Sequence, residues 1–557
     1  MKAIKRIFCV LVGAICAFSI FGAWGCQPGD EEQIDPNRTQ LYVGIFNGGI
    51  GIDWLREVKA LYEAEHKDIQ IMIEPGQTIY ETGTLKATIK DRLQDVYFVD
   101  GVNYYEYIKD DLLMAVTDIV TADNGGYTLE GIMNETLRDY YKTDDGKYYA
   151  VPYYQGEHQI IYDVDLFEEE ELYIKTIDGD GNITAWTGAE NKHVGADGTA
   201  GTYDDGLPIT YSQFFTLLER MKSEEKGIVP FTWSGDNWDN YLTKMLPSVS
   251  ARYSGNDYAM NFDTSLDGTG TEMTLISSIG KAHEYGKFSS EDYSTKTETV
   301  SWDNYWDIQN LAGNYFALCF ARDIMYSDAT HKDNFDSKAV GPGDTHLDAQ
   351  ERFLMSRFKG EPIAMLIDGS WWENEAQGVF DDMAYDFGPQ WSRENRRFAM
   401  MPIPNSDDMA ANSSLTLSPF SGQSAVFIRK NASQPEIAKD FFKFCHSKEV
   451  LSVFTRYSNN LRPYDYDVAE EGNDELSYYT ANQVEIYASA NVIYRMPNST
   501  VGRNNEGVFA NNWFFRTTNG NGYQAPFHAF FESTLTPEQY FYGLSEWQQT
   551  EGEIVLN

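Results

Sequence analysis

The stretch YYAVPYYQGEHQIIYDVDLFEE, Tyr148 to Glu169, holds two apolar runs on either side of Gln155-Gly-Glu-His158. It forms a unit of its own downstream of a regular α/β pattern. In that pattern Leu41 to Phe46 reads as a first strand, and Asn47-Gly48-Gly49 turns the chain. A helix follows with Trp54, Leu55, Val58, Leu61 and Tyr62 on one face, at offsets matching a 3.6-residue period, and Asp53 is placed to cap it. Ile69, Ile71 and Ile73 alternate as a second strand, ended by Pro75-Gly76, and Asp95 to Val99 reads as a third. Strand, helix, strand, helix, strand implies a parallel sheet with covering helices. Ligands of such sheets bind beyond the carboxyl ends of the strands, and Asn47 and Asp100 stand at two of these ends.

A chain of 557 residues is too long for one compact core, so two or more lobes are expected. Acids outnumber bases 85 to 43, for a formal charge of −42. Such a surface repels phosphate backbones and argues against nucleic acid as a partner. Aromatic residues make up 15% of the chain, with 37 Tyr, 32 Phe and 12 Trp. Two readings follow: a Tyr-rich acidic surface, or a cleft paved with rings, which suits the flat C–H faces of sugars.

The N-terminus carries Lys2, Lys5 and Arg6, an apolar run from Ile7 to Trp24, and Gly25 before Cys26. This is the layout of a secretory signal, and it resembles the bacterial lipobox except that Ala23 stands where Leu is usual. Residues 1–25 are therefore read as a lipoprotein signal peptide, Cys26 as the lipidation (palmitate) site and 26–40 as a flexible tether. The rival is an uncleaved membrane helix, the run being near the lower length limit for spanning. Loss of the signal, with its three cations and no acid, takes the formal charge to −45. No second run of about 18 apolar residues follows, so the mature body is expected to be soluble. Cys319 and Cys445 lie in apolar helical patterns and read as buried small hydrophobes.

Motifs along the chain carry a resemblance. "YYAVPYYQGEHQIIYDVDLFEE" looks like the "YALPY…G…YN-DLFEEAG" signature of family 1 extracellular solute-binding proteins, the maltose-binding-like receptors of ABC sugar importers. In the family's order follow Thr210–Met221, where Thr210 and Gln213 have capping-box spacing, and Gly227–Trp238 (GIVPFTWSGDNW). Phe358–Trp372 (FKGEPIAMLIDGSWW) resembles "F..GKAAM…GSW". Met401-Pro-Ile-Pro404, Ser433–Ser447 with a second capping-box pair Ser433/Glu436, Leu461-Arg-Pro463 and Thr536-Pro-Glu-Gln539 complete the set. Together they span roughly Leu41 to Trp547.

The resemblance implies an α/β, two-lobe periplasmic-binding-protein-like clamp. Each lobe would be a mostly parallel sheet flanked by helices, with the ligand cleft between lobes and closure about a hinge. It implies lobe 1 over 41–155 plus 422–462, and lobe 2 over 156–421 plus 463–557, with a Gly/Asp-rich insertion at 174–208. Trp233 would lie in the family's binding loop beside Asp236, and Trp371 at the stacking position, with Trp372 next to it. Tyr153, Tyr154, Gln155, Asp100 and Asn47 complete the expected ligand set. The implied function is a non-enzymatic, exported receptor, lipid-anchored on the outer face of the bacterial membrane. It would capture an oligosaccharide or other small solute as a monomer and deliver it to ABC permease subunits.

Within the insertion, Asp178, Asp180, Asn182 and Thr184 take positions 1, 3, 5 and 7 of an EF-hand-like loop. The pattern then fails, with Ile183 for Gly and Ala189 for Glu. One structural calcium and a plain solvated Asp-Gly turn both remain open, and no other cofactor is expected. Two rival functions also stand: an exported glycoside hydrolase, which needs only two carboxylates, and a glycan-binding surface lipoprotein working without a transporter. Turnover separates the first from a receptor, and sugar uptake after gene deletion separates the second.

Overall fold

The computed structural model describes residues 33–76, 80, 82–259, 270–326, 333–408, 414–419, 424–468, 476–497, 499–505, 515–517, 526–532 and 534–551. The expected signal and Cys26 lie outside the described residues.

The first sheet grows from the α/β pattern at the start of the chain. β1 (Thr39–Phe46), β2 (Ile69–Gly76) and β3 (Val96–Val99) run parallel. The helix Asp53–Glu65 covers them, burying Trp54, Leu55, Val58 and Tyr62. Asp53 is its first residue rather than its cap, and pairs with Arg56. β4 (Ala150–Pro152) joins through a strand from much later in the chain, β14 (Ala425–Ile428), which is antiparallel to both β3 and β4, for an order β2-β1-β3-β14-β4.

The second sheet has the order β12-β5-β11-β8, from β5 (His158–Asp163), β8 (Val229–Thr232), β11 (Ile363–Gly369) and β12 (Phe398–Met401). β11 is parallel to β8, and β5 is antiparallel to β11 and β12. Each sheet is thus mostly parallel with one reversed strand: β1, β2, β3 and β4 share a direction against β14, and β8, β11 and β12 share one against β5. Two antiparallel hairpins, β6 (Tyr173–Ile177) with β7 (Ile183–Thr187) and β9 (Thr271–Ile279) with β10 (Tyr293–Val300), decorate the second lobe. A short parallel pair, β13 (Thr416–Leu417) with β15 (Asn491–Val492), lies in the later part of the chain.

Each sheet has its own buried core. Trp54, Phe98, Tyr153 and Phe454 centre the first, and Phe214, Phe231, Phe316 and Phe320 the second. Cys319 and Cys445 are buried and free. The chain crosses between lobes after β4, again between β12 and β14, and after the helix Lys448–Ser458, where Gln155 N donates to Leu461 O at 3.0 Å.

Three local expectations are corrected. Residues 33–40 are not all tether: β1 begins at Thr39, Asp35 N donates to Gln70 Oε1, and Gln70 Nε2 donates to Gln33 O. The segment from 463 onward does not stay in the second lobe. Tyr464, Tyr494 and Met496 pack in the first core, and Arg503 donates to Asp144 and to Asp139 O there, while Phe515, Phe527 and Tyr540 belong to the second core. This stretch straps the lobes together. Of the two capping boxes, Thr210/Gln213 forms reciprocally, but Ser433 does not cap its helix. Its N–H and hydroxyl are turned to the wholly buried Asp95 carboxylate, which needs donors more than the exposed helix end does.

Candidate functional site

Strand ends from both lobes converge on one cleft. β3 delivers Asp100 from the first lobe. In the second, His158 opens β5 opposite Gly369, the last residue of β11, and Ser370-Trp371 follow. The helix Trp238–Ser254 lies against this corner with Tyr241, Lys244 and Ser248 at spacings of three and four, hence on one face. The Tyr241 ring meets His158 edge-on at 5.3 Å, and Ser248 Oγ donates to Glu157. Lys244, between them, stands over the start of β5.

Trp371 joins the lobes. Its indole meets His158 at 5.5 Å and 88° and packs against the first lobe's core. A Cβ on Gly49 of the first lobe would come within 1.9 Å of Trp371 Cδ1, and one on Gly369 within 2.3 Å of Cζ2. Only glycine permits that approach on either side. Asn374 Nδ2 donates to Gly49 O at 2.9 Å, so the lobes are shut on each other here.

The cleft's charges are strongly modified by burial. Asp100 accepts from Ser424 Oγ at 3.4 Å and is also bonded by Tyr154; burial pushes its carboxyl up, and Lys244 acts in the opposite sense. Lys244 keeps water-accessible surface, yet burial pulls its ammonium down, as for a group inside a crevice; Asp100 opposes the shift and Arg495 reinforces it. His158 is held well below its ordinary value by burial, then by Lys244 and Arg495, and so is neutral at pH 7. Deeper in the second lobe, Gln350 Nε2 donates to both Asp368 Oδ2 (3.0 Å) and Glu375 Oε2 (2.9 Å). Burial pushes both carboxyls well up, and the charge of Asp368 raises Glu375 further. Glu373, bonded by Ser477 Oγ, is pushed up to about 7 by burial.

The expected site residues divide. Tyr154 bonds Asp100 at the edge of the first lobe's core, Trp371 stands on His158 at the seam between the lobes, and Asn47 is half-buried just after β1, beside Gly48 and Gly49. Trp233 does not present itself to the cleft. It is 0% exposed, packed on Phe335 in the second core, because the loop after β8 folds inward beneath Arg352 and Asp344. Trp372 is likewise core, wedged among Phe353, Phe398 and Tyr479. Tyr153 is core of the first lobe, against Trp54, Phe98 and Phe454. Gln155 is a buried crossing residue whose Oε1 accepts from Tyr494. The Asp236 carboxylate accepts from Gly343 N. Sequence reading missed Tyr241, His158, Lys244, Arg495 and the Asp368/Glu375 pair. The one available signal was the density of acids in DGSWWENE beside an otherwise apolar strand.

Asp178, Asp180, Asn182 and Thr184 lie on the β6–β7 hairpin and its turn. Residues 178–182 are the turn between β6 and β7, and Asp178 Oδ1 is occupied by Asp180 N and Asn182 N. Thr184 Oγ1 bonds Thr176. Among the described residues no group of three or more His, Cys, Asp or Glu is placed to hold a metal.

Residues 57–482 match the family described as bacterial extracellular solute-binding protein. No curated protein matches the chain. Among solved structures, a chitin oligosaccharide binding protein is similar at TM-score 0.53 and 16% identity, covering 93% of this chain and 99% of that one. The GacH receptor of Streptomyces glaucescens, solved unliganded and with acarbose, is similar at 0.52 and 12%, covering 93% and 100%. An ABC substrate-binding protein from Listeria monocytogenes in complex with cycloalternan is similar at 0.51 and 14%, covering 92% and 99%. At these identities the likeness is one of fold. Among the described residues no helix is long and apolar enough to cross a membrane.

Proposed function

The chain belongs to the bacterial extracellular solute-binding proteins, and from that membership we propose that it captures an oligosaccharide between its lobes and passes it to the permease of an ABC importer. The family is one of exported binding proteins. The observation that carries the sugar reading is Trp371, an indole at the seam of the two lobes that packs on the first lobe's core and meets His158, which in turn meets Tyr241. A ring face with polar groups around it is the combination a saccharide asks for. The oligosaccharide and acarbose ligands of the structural neighbours support the same reading. No cofactor enters it.

Calorimetry against a panel of oligosaccharides tests it. Saturable binding in the micromolar range or tighter, about −8 kcal/mol, is expected without turnover of labelled sugar. Trp371→Ala should cost ~2 kcal/mol of that affinity. Hydrolysis of the panel, or no binding by any member, overturns the proposal.

We further propose anchoring through diacylated Cys26, on the strength of the signal that precedes it. Labelled palmitate should enter the wild-type protein in cells and not Cys26→Ala, which should appear in the medium. Equal label in both sinks the anchor and leaves the receptor reading intact.

A further inference from the structure

The Gly/Asp-rich insertion closes over a cavity in the second lobe that shares no lining residue with the lobe seam. Its volume is about 170 Å³. Leu207 and Ile403 of the second core line it, as do Leu415 and the Tyr203 ring that packs with it. Arg252, in the last turn of the helix Trp238–Ser254, supplies a cation and is 4% exposed. Its Nε donates to Ile403 O at 2.9 Å and its Nη1 to Ser414 O at 2.7 Å. Those two bonds fix the guanidinium plane and leave Nη2 without a hydrogen bond among the described residues.

Two carboxyls share the cavity with this cation. Asp204, 3% exposed, accepts from Asp197 N at Oδ2 and from Thr202 Oγ1 at Oδ1, both at 3.0 Å. A Cβ on Gly195 would come within 2.2 Å of Asp204 Cγ, so glycine there is what lets the loop close on this carboxyl. The Asp197 carboxylate is held by Thr199 N, which donates to its Oδ1 at 2.7 Å. Among the described residues neither carboxyl forms an ion pair with Arg252.

A buried cation held apart from its counter-charges is costly unless something in the gap bonds both. Adjacent sugar hydroxyls do so: one oxygen accepts from Nη2 while its neighbour donates to a carboxyl. The Tyr203 ring and the aliphatic walls suit the C–H face of the same ring. An amino-acid zwitterion would set its ammonium against Asp204. Both oxygens there are already bonded, and burial pushes the carboxyl up, which favours a hydroxyl as its partner. The volume lies below the ~300 Å³ at which pockets for drug-sized ligands begin, so it suits one ring and not a chain.

Independently of the cleft, we propose that this cavity is a second saccharide site, holding a free monosaccharide in its pyranose form between the Arg252 guanidinium and the carboxyls of Asp204 and Asp197. Occupancy ties the insertion to the body of the second lobe and leaves the seam as it is.

Calorimetry of the full chain with glucose, galactose, mannose and xylose tests it, on a Trp371→Ala background so that the cleft contributes little. At least one of them should bind with a Kd of about 1 mM or tighter. Ser489 lines the cavity from an exposed position at the end of the helix Tyr478–Ser489. Ser489→Phe should therefore plug the cavity and weaken that sugar about tenfold or more. Its melting temperature should stay at the wild-type value and, with Trp371 in place, so should its oligosaccharide affinity. Arg252→Lys, which keeps the charge and loses the fork, supplies a second variant and should weaken the same sugar. No binding of any of the four, or binding that both substitutions leave intact, overturns the second site and leaves the receptor reading standing. Binding of free alanine in their place, sensitive to the same substitutions, overturns the saccharide assignment.

Discussion

Replacing Gly49 by alanine is expected to leave both lobes folded and to stop them from shutting. Gly49 sits in the loop after β1 with a backbone conformation open to any L-residue, so alanine brings no strain to the first lobe itself. The added methyl meets only the other lobe: 1.9 Å from Trp371 Cδ1 and 2.5 Å from Glu375 Oε1. Gln350 Nε2 holds the Glu375 carboxylate by its other oxygen, and Gly369 and His158 hold the other sides of the indole. The clash therefore belongs to the closed state alone, and overpacking of that size costs up to about 3 kcal/mol. Charged wholly against closure, it weakens solute binding about 100-fold, since a receptor that must close to bind loses affinity in proportion to the closed fraction. Small-angle scattering should show a larger radius for Gly49→Ala than for wild type with ligand, at an unchanged melting temperature of the unliganded protein. Identical scattering curves and equal affinities would falsify the latch.

The architecture was legible where one physical rule decided the matter. The 3.6-residue spacing from Trp54 to Tyr62 and the alternation of Ile69, Ile71 and Ile73 reflect burial on one face, and both elements form there. Thr210 and Gln213 satisfy each other's backbone without help from elsewhere, so their cap was readable too. Ser433 carries the same local pattern and fails, because Asp95, a partner distant in sequence, competes for its hydroxyl. The site was legible only in part for the same reason. Asp100 follows from its strand end, and Trp371 from its motif. Trp233 and Trp372 carry the same residue type in similar surroundings, yet whether an indole faces a gap or a core depends on what the rest of the chain packs over it.

Stability is expected to fall as pH rises from about 4.5 to about 7, against the usual trend for proteins held by ion pairs. The sequence DGSWWENE puts Asp368, Glu373 and Glu375 into the second lobe's interior, and burial raises all three carboxyls. A raised folded-state value means that the native protein keeps a proton that the unfolded chain releases. The unfolded state therefore gains as pH climbs above the ordinary carboxylate value, until the folded group ionises as well. For Glu373, lifted from 4.5 to about 7, the loss across that window is roughly 3 kcal/mol. Its Oε2 accepts from Ser477 Oγ and its Oε1 is buried without a hydrogen-bond partner, so ionisation leaves a charge with little solvation. Glu373→Gln keeps the shape and removes the titration. Urea melts at pH 5 and pH 8 should give a smaller difference for this variant than for wild type, by about that amount, and the gain should appear at pH 8. A wild-type protein as stable at pH 8 as at pH 5, with the variant unchanged from it, would mean that Glu373 is ionised in the fold and has found a counter-charge.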